Sequence, residues 1–206
     1  MRTLIFTADE PDAIERAAQL LRERQLVAFP TDTVYGLGAL AFDAESVAAL
    51  YHAKERPPEK AIAVLLADKS MVDQVAEHIP DAARRLMDKF WPGALTLIVP
   101  KRSAVPDTVS GSSTIGVRVP ALDLTRSLLV LTGPLAVTSA NRSGWASPRS
   151  AAEVLEQLEG RIHAVLDGGT TEGVPSTVVD CSRTPPSMAR PGPITEAQLR
   201  AVTRLA

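Results

Sequence analysis

Residues 43–66, "DAESVAALYHAKERPPEKAIAVLL", hold a helix start, a helix, a rigid break and a buried strand in one run. Asp43 stands at the N-cap position of "AESVAALYHAK", where a carboxylate accepts the free backbone N–H groups of a first turn. Val47, Leu50 and Tyr51 fall on one side at helical spacing. Pro57 and Pro58 stop the helix, because a proline pushes the residue before it out of the helical region. "AIAVLL" then reads as a short apolar strand of the kind buried in a sheet. A helix running straight into a buried strand is one unit of an alternating α/β fold. The question is whether the rest of the chain repeats it.

It does. Upstream, "PDAIERAAQLLRERQ" has Pro11 in a first helical turn and Ile14, Ala17, Ala18 and Leu21 on one face, and "LVAF" (26–29) is a strand that stops at Pro30. Downstream, helices are predicted over 70–79 and 81–90, the second ending before Pro92. "ALTLIV" (94–99) and "TIGVRV" (114–119) follow as strands, then a helix over 122–131 closed by Gly133, then the strand "PLAVTS" (134–139). Ser150-x-x-Glu153 has the form of a capping box opening "AAEVLEQLEG", "IHAVL" and "STVVDC" are strands, and Thr195-x-x-Gln198 opens a last helix. About eight strands interleaved with six or seven helices predict an α/β domain built on a large mixed sheet. Without an internal repeat, low-complexity tract or long linker, residues 1–206 read as one domain.

Composition removes several function classes. The longest apolar runs fall far short of the ~20 residues of a membrane span, and "MRTLIF" turns polar too soon for a secretory signal. A single cysteine, Cys181, and three scattered histidines give neither an internal disulfide nor an all-protein zinc site, so a cytoplasmic protein with no metal-ligating residues of its own is expected. The net charge of −2 rules out a polycation, and any anion must be met by local clusters of the basic residues, 17 of 22 of them arginine.

Four polar loops are candidates for chemistry. "FPTDTVYGLG" (29–38) offers the hydroxyls of Thr31 and Thr33 beside two glycines that permit close backbone approach, or it is an ordinary strand turn; its spacing is neither that of a Walker loop nor G-x-G-x-x-G. "KERPPEK" (54–60) is either a helix end whose cations answer the helix dipole or a clamp in which two prolines stiffen Arg56 and Lys60 for a phosphate chain. In "SSTIGVRVP" (112–120), Arg118 sits in a strand with Val117 and Val119 facing the other way, as part of an exposed face or as a paired interior anchor. "VTSANRSG" (137–144) places Ser139 and Asn141 at a strand's C-terminal end, where small ligands bind, or forms a locally bonded turn. Ser176 and Thr177 in "VPSTVVD" and Arg190 in "ARPGPIT" complete an inventory of cations, hydroxyls and one amide, a set suited to orienting anions.

Taken in order, "FPTDTVYGLG", "AKERP", "FWPGALTLIV", "VRVP", "TSANRSG", "PSTVVD" and "RPGPIT" closely resemble the YrdC-like threonylcarbamoyl-AMP synthases over about residues 10–200. The resemblance implies a single YrdC-like domain with a concave, partly basic cavity. It also implies a nucleotidyltransferase that makes threonylcarbamoyl-adenylate from L-threonine, bicarbonate and ATP, releasing pyrophosphate. The product would feed tRNA threonylcarbamoyladenosine synthesis beside the anticodon through a downstream transfer machinery. Carried over by motif, Thr33, Arg118, Ser139 and Ser176 contact threonine. Arg56, Lys60, Thr114, Asn141 and Arg190 contact ATP, Arg149 adds a phosphate contact, and Lys54 and Arg56 form the catalytic Lys-x-Arg signature. Mg2+ would be held through the ATP phosphates. Many relatives have Asn-Pro at Lys60-Ala61, a threonine-holding His at Leu65 and a small hydroxyl residue at Arg149; Leu65 keeps another acceptor amino acid open. A non-catalytic module for double-stranded RNA, or tRNA itself, is the rival from another class. The absence of a basic run and an aromatic content of 4% offer it few stacking platforms.

Overall fold

A computed structural model describes residues 2–206. Its strands are β1 (Leu4–Thr7), β2 (Val27–Phe29), β3 (Gly36–Leu40), β4 (Ala63–Leu65), β5 (Leu95–Pro100), β6 (Thr114–Arg118), β7 (Leu135–Ser139), β8 (Ala164–Asp167), β9 (Thr177–Asp180) and β10 (Ser187–Arg190). They form one ten-stranded sheet in the order β1-β8-β2-β3-β7-β4-β6-β5-β9-β10. The sheet is mixed: β1–β8, β2–β8, β4–β6 and β5–β9 pair parallel, and β2–β3, β3–β7, β4–β7, β5–β6 and β9–β10 antiparallel. The helices are α1 (Ala13–Arg22), α2 (Ala44–Lys54), α3 (Asp81–Phe90), α4 (Asp123–Thr132), α5 (Ala151–Leu158) and α6 (Glu196–Arg200). Among the described residues no helix is long and apolar enough to cross a membrane.

Local chemistry accounts for most of these elements. The Asp43 carboxylate accepts the Ser46 N–H at 2.8 Å and starts α2, whose Val47 and Leu50 are buried while Tyr51 packs against the core from its edge. Thr195 and Gln198 form a complete capping box. The box expected at α5 is only half made: the Ser150 hydroxyl accepts from Glu153 N–H at 3.3 Å, but the Glu153 carboxylate takes the Arg149 N–H instead. The helix expected over 70–79 shrinks to a 3-10 turn, Lys69–Gln74. Beyond it the backbone is taken by long-range partners, with Glu77 N–H on Pro100 and Arg102 N–H on Val75, and these outweigh local helical bonds.

Three strands lie outside the sequence reading: β1, β3 and β10. The glycines of β3 ("GLGAL") argue against a strand on propensity alone. A Cβ at position 38 would lie 2.6 Å from the Phe29 ring, so the residue that weakens the local signal is the one that lets β2 and β3 pack.

The two faces of the sheet are covered unequally. On one face Val64, Leu97, Val117 and Ala136 meet buried residues of α2, α3, α5 and α6. On the other, Phe29, Leu135 and Leu166 meet α1 and α4, with Met71 of the 3-10 turn packed at the edge. These two helices leave the β4, β6, β5 and β9 end of that face open.

Candidate active site

Strand alternation sends Ala63 and Leu65, Thr96 and Ile98, Gly116 and Arg118, and Val137 and Ser139 to this open face. The register agrees, because Ala63 lies opposite Val137, Gly116 opposite Ile98, and Arg118 beside Leu65. Together with Thr33, Arg56, Ser176 and Arg190 they line a cleft of about 350 Å³. Of the residues singled out in the sequence, Thr33, Arg56, Arg118, Ser139, Ser176 and Arg190 are brought together here. The lining holds three arginines and no carboxylate.

Arg118 is the fixed point. It is 5 % exposed, and its guanidinium donates to Gly93 O at 2.9 Å, to Thr33 Oγ1 at 2.9 Å and to Asp32 Oδ1 at 2.6 Å. Burial pulls its pKa down, the Asp32 carboxylate works against that, and Arg190 adds a small push downward. Val117 and Val119 are buried on the opposite face, so Arg118 is a paired interior anchor facing a cleft. Thr33 is held from its other side by Thr31, 2.9 Å between hydroxyls.

At the neighbouring wall Arg190 donates through Nε and NH2 to Ser176 O, at 3.1 and 2.8 Å, and through NH2 to Ser176 Oγ at 3.2 Å. Burial lowers the Arg190 pKa. The stiff "RPGP" turn reaches this wall because position 192 has no Cβ; one built there would lie 2.4 Å from Thr177 N. Ser176 Oγ also meets Thr96 Oγ1 at 2.8 Å.

"KERPPEK" divides. Lys54 is 1 % exposed and absent from the cleft wall; its ammonium donates to the main-chain carbonyls of Ser139 and Asn141. In this arrangement both carbonyls already take the Lys54 charge, and it does not face the cleft directly. Burial drives the Lys54 pKa down to about 7, with Arg56 adding to the fall. Arg56 does line the cleft and folds onto its own loop, donating to Lys60 O at 3.1 Å and Ala61 O at 3.0 Å. Lys60 is exposed at the rim, outside the wall.

Three further expected residues lie off the wall. The Asn141 side chain is engaged within its own loop: it accepts from Ser139 Oγ and donates to Arg142 O at 2.8 Å and Trp145 O at 2.9 Å. The Thr114 hydroxyl meets Ser112 Oγ at 3.1 Å. Arg149 is exposed and lies over Gly173, whose N–H donates to Thr33 O at 2.7 Å. The end of α2 and the 139–145 loop are also latched together: Ser143 N–H donates to Lys54 O at 2.9 Å, and Glu55 pairs with Arg142 and Arg161 at 2.7 and 2.8 Å.

Sequence reasoning did not single out Asp32 or Thr96. Asp32 sits unmarked between two threonines, and Thr96 is hidden inside an apolar strand. Its only signal is that it alternates with Leu95 and Leu97, which enter the core. Leu65 joins Ala63 and Val137 in an apolar strip along the floor.

A family profile, Sua5_yciO_yrdC, described as "Telomere recombination", matches residues 19–192. The chain is 46% identical over 193 residues to a threonylcarbamoyl-AMP synthase of Bacillus subtilis (strain 168), covering 92% of this chain and 56% of that relative. It is 36% identical over 206 residues to a putative threonylcarbamoyl-AMP synthase of Mycobacterium tuberculosis (strain ATCC 25618 / H37Rv), covering 97% and 95%. Among solved structures, P. abyssi Sua5 complexed with L-threonine matches with a TM-score of 0.92 and 39% identity, over 100% of this chain and 63% of that one. The chain thus spans little more than half the length of the Bacillus relative and under two thirds of the Pyrococcus chain.

Proposed function

The chain belongs to the Sua5/YciO/YrdC family, and from that premise we propose that it makes L-threonylcarbamoyladenylate and pyrophosphate from L-threonine, bicarbonate or CO2, and Mg-ATP, as a nucleotidyltransferase serving tRNA modification. The observation that carries this reading is the convergence of Arg56, Arg118 and Arg190 with Thr33, Ser139 and Ser176 on one cleft of about 350 Å³.

The amine of threonine captures CO2 and becomes a carbamate, which is already an anionic nucleophile. Its oxygen attacks the α-phosphorus, and the bond to the bridging oxygen of the leaving pyrophosphate breaks. The barrier is the approach of two negative reactants, so fixed positive charge and positioning do more here than a general base. In this reading Arg118, Thr33, Ser139 and Ser176 hold the amino acid, and Arg56 and Arg190 hold the phosphates. Lys60 meets the nucleotide from the rim, with Thr114 and Arg149 at its outer contacts. Lys54 and Asn141 shape the 139–145 loop against which the nucleotide lies. Among the described residues no three His, Cys, Asp or Glu gather as a metal cage, which suits a Mg2+ that arrives on the nucleotide's phosphates and keeps its water ligands. The strip of Ala63, Leu65 and Val137 gives the threonine methyl a packing surface and its hydroxyl no partner.

The test is pyrophosphate release from Mg-ATP and bicarbonate, with each amino acid in turn. Release that depends on L-threonine is the expected outcome. Equal release with and without any amino acid overturns the reading, and release driven by another amino acid replaces threonine.

A further inference from the structure

By alternation, strand β6 turns Thr114, Gly116 and Arg118 to one face and the buried Ile115 and Val117 to the other. Gly116 therefore stands at the middle of a strand, where a glycine costs conformational entropy and packs nothing. The fold itself does not require it. Its φ lies outside the left-handed region, and an added Cβ would meet Ala63 Cβ and Thr96 Cγ2 at 3.4 Å, an ordinary contact. Gly36, also on the cleft, is the contrast: a Cβ there would lie 2.6 Å from Val137 Cγ1. Gly36 is small for the protein's own packing. Gly116 is small for something that enters from outside.

The row that holds Gly116 is a trough. Across the sheet it runs Val137, Ala63, Gly116, Ile98, with its two smallest members in the middle. One row inward lie Leu65 and Arg118, paired in register. One row outward lie Thr114 and Ala61, whose carbonyl accepts from Arg56 at 3.0 Å. Successive rows on one face are about 7 Å apart. The trough thus lies between an arginine assigned above to the amino acid and one assigned to the phosphates.

We propose that Gly116 is a positioning residue: the trough over Gly116 and Ala63 is where the carbamate and the α-phosphate meet, and the bare backbone lets both reactants be in place at once. This rests on the adenylate-forming reading given above. The role is steric. A methyl group at position 116 would touch neither Arg118 nor Arg56, so it would penalise the pair of reactants and not either one alone.

The experiment compares Gly116→Ala with wild type by urea unfolding, by calorimetric binding in bicarbonate buffer and by pyrophosphate release. The alanine fits its surroundings, so the unfolding midpoint is expected to hold or rise. L-Threonine and α,β-methylene-ATP, which cannot release pyrophosphate, are each expected to bind alone as they do to wild type. With the nucleotide analogue at saturation, the variant's Kd for threonine is expected to rise about tenfold, the size of one group forced into filled space. The kcat for pyrophosphate release should fall about 100-fold, as for reacting atoms held apart. A lower unfolding midpoint would make Gly116 a packing residue, and weaker binding of one ligand alone would give the trough to that ligand. An unchanged threonine Kd beside the bound analogue would leave the trough without an occupant. Each of these overturns the proposal. Wild-type protein that binds both ligands together but releases no pyrophosphate strikes the reaction and leaves the meeting place standing, whereas wild-type protein that cannot bind both overturns the two together.

Discussion

Arg118 and Arg56 both face the same cleft, yet they are held in opposite ways. Arg118 rises from the middle of a sheet, spends its guanidinium on a carboxylate, a hydroxyl and a main-chain carbonyl, and is almost sealed from water. Arg56 lies half-buried on a proline-stiffened loop and bonds only to carbonyls four and five residues on. The inner wall is therefore part of the folded core, and the rim is an attachment to it. Preorganisation at the wall and fold stability are one property; at the rim they separate.

The sharpest way to break this contrast is to remove each arginine in turn. Arg118→Ala leaves Asp32 unpaired and strips Thr33 and Gly93 of a donor, and is expected to cost about 3–5 kcal/mol of stability, measured by urea unfolding. A loss below about 1 kcal/mol would show that the wall is not built into the fold. Arg56→Ala is expected to lower kcat/KM about 100-fold, roughly 2.7 kcal/mol of transition-state stabilisation, with little change in the unfolding midpoint. A folded Arg56→Ala protein of wild-type rate would remove Arg56 from the chemistry.

Lys54 belongs with the folded core although its sequence neighbours belong to the rim. Lys54→Met keeps most of the packing volume but leaves two buried carbonyls without a donor, an expected loss of about 2 kcal/mol. Its proton gives a second reading. The folded chain releases it near pH 7 and the unfolded chain only near 10.5. Between those values the unfolded chain holds more protons, so this group makes stability rise with pH. Unfolding midpoints at pH 7 and 9 should show wild type gaining on Lys54→Met, and a difference that does not change with pH would place the ammonium fully charged throughout. The smallest effect is expected at the rim, where Lys60→Ala should weaken nucleotide binding by less than about 1 kcal/mol and flatten its dependence on salt.

The contrast also explains what could be read in advance. Helix starts declare themselves locally, as Asp43 and Thr195 show, because cap and partner lie within three residues. For Arg118 the alternation with Val117 and Val119 fixed which way it points, and left an exposed face and a paired anchor both open. Asp32 and Thr96 were not, since each gains meaning only from a partner 80 or more residues away. "KERPPEK" looked uniform as a cluster of cations. The fold buries the first, lays the second along the rim of the cleft and leaves the last in water, a division set by where α2 ends against the 139–145 loop.

The unequal covering of the sheet has a consequence for how such a chain can change over time. Along β4, β5, β6 and β7 the odd and even positions answer to different demands: Val64, Leu97, Val117 and Ala136 keep the molecule folded, while their immediate neighbours Leu65, Thr96, Arg118 and Val137 meet whatever enters from outside. Two scripts are thus interleaved at a spacing of one residue. Arg118 takes part in both, as do Leu65 and Val137, which also pack in the cluster beneath α1 and α4; elsewhere the outward script can be rewritten for a new guest without a word of the inward one being touched.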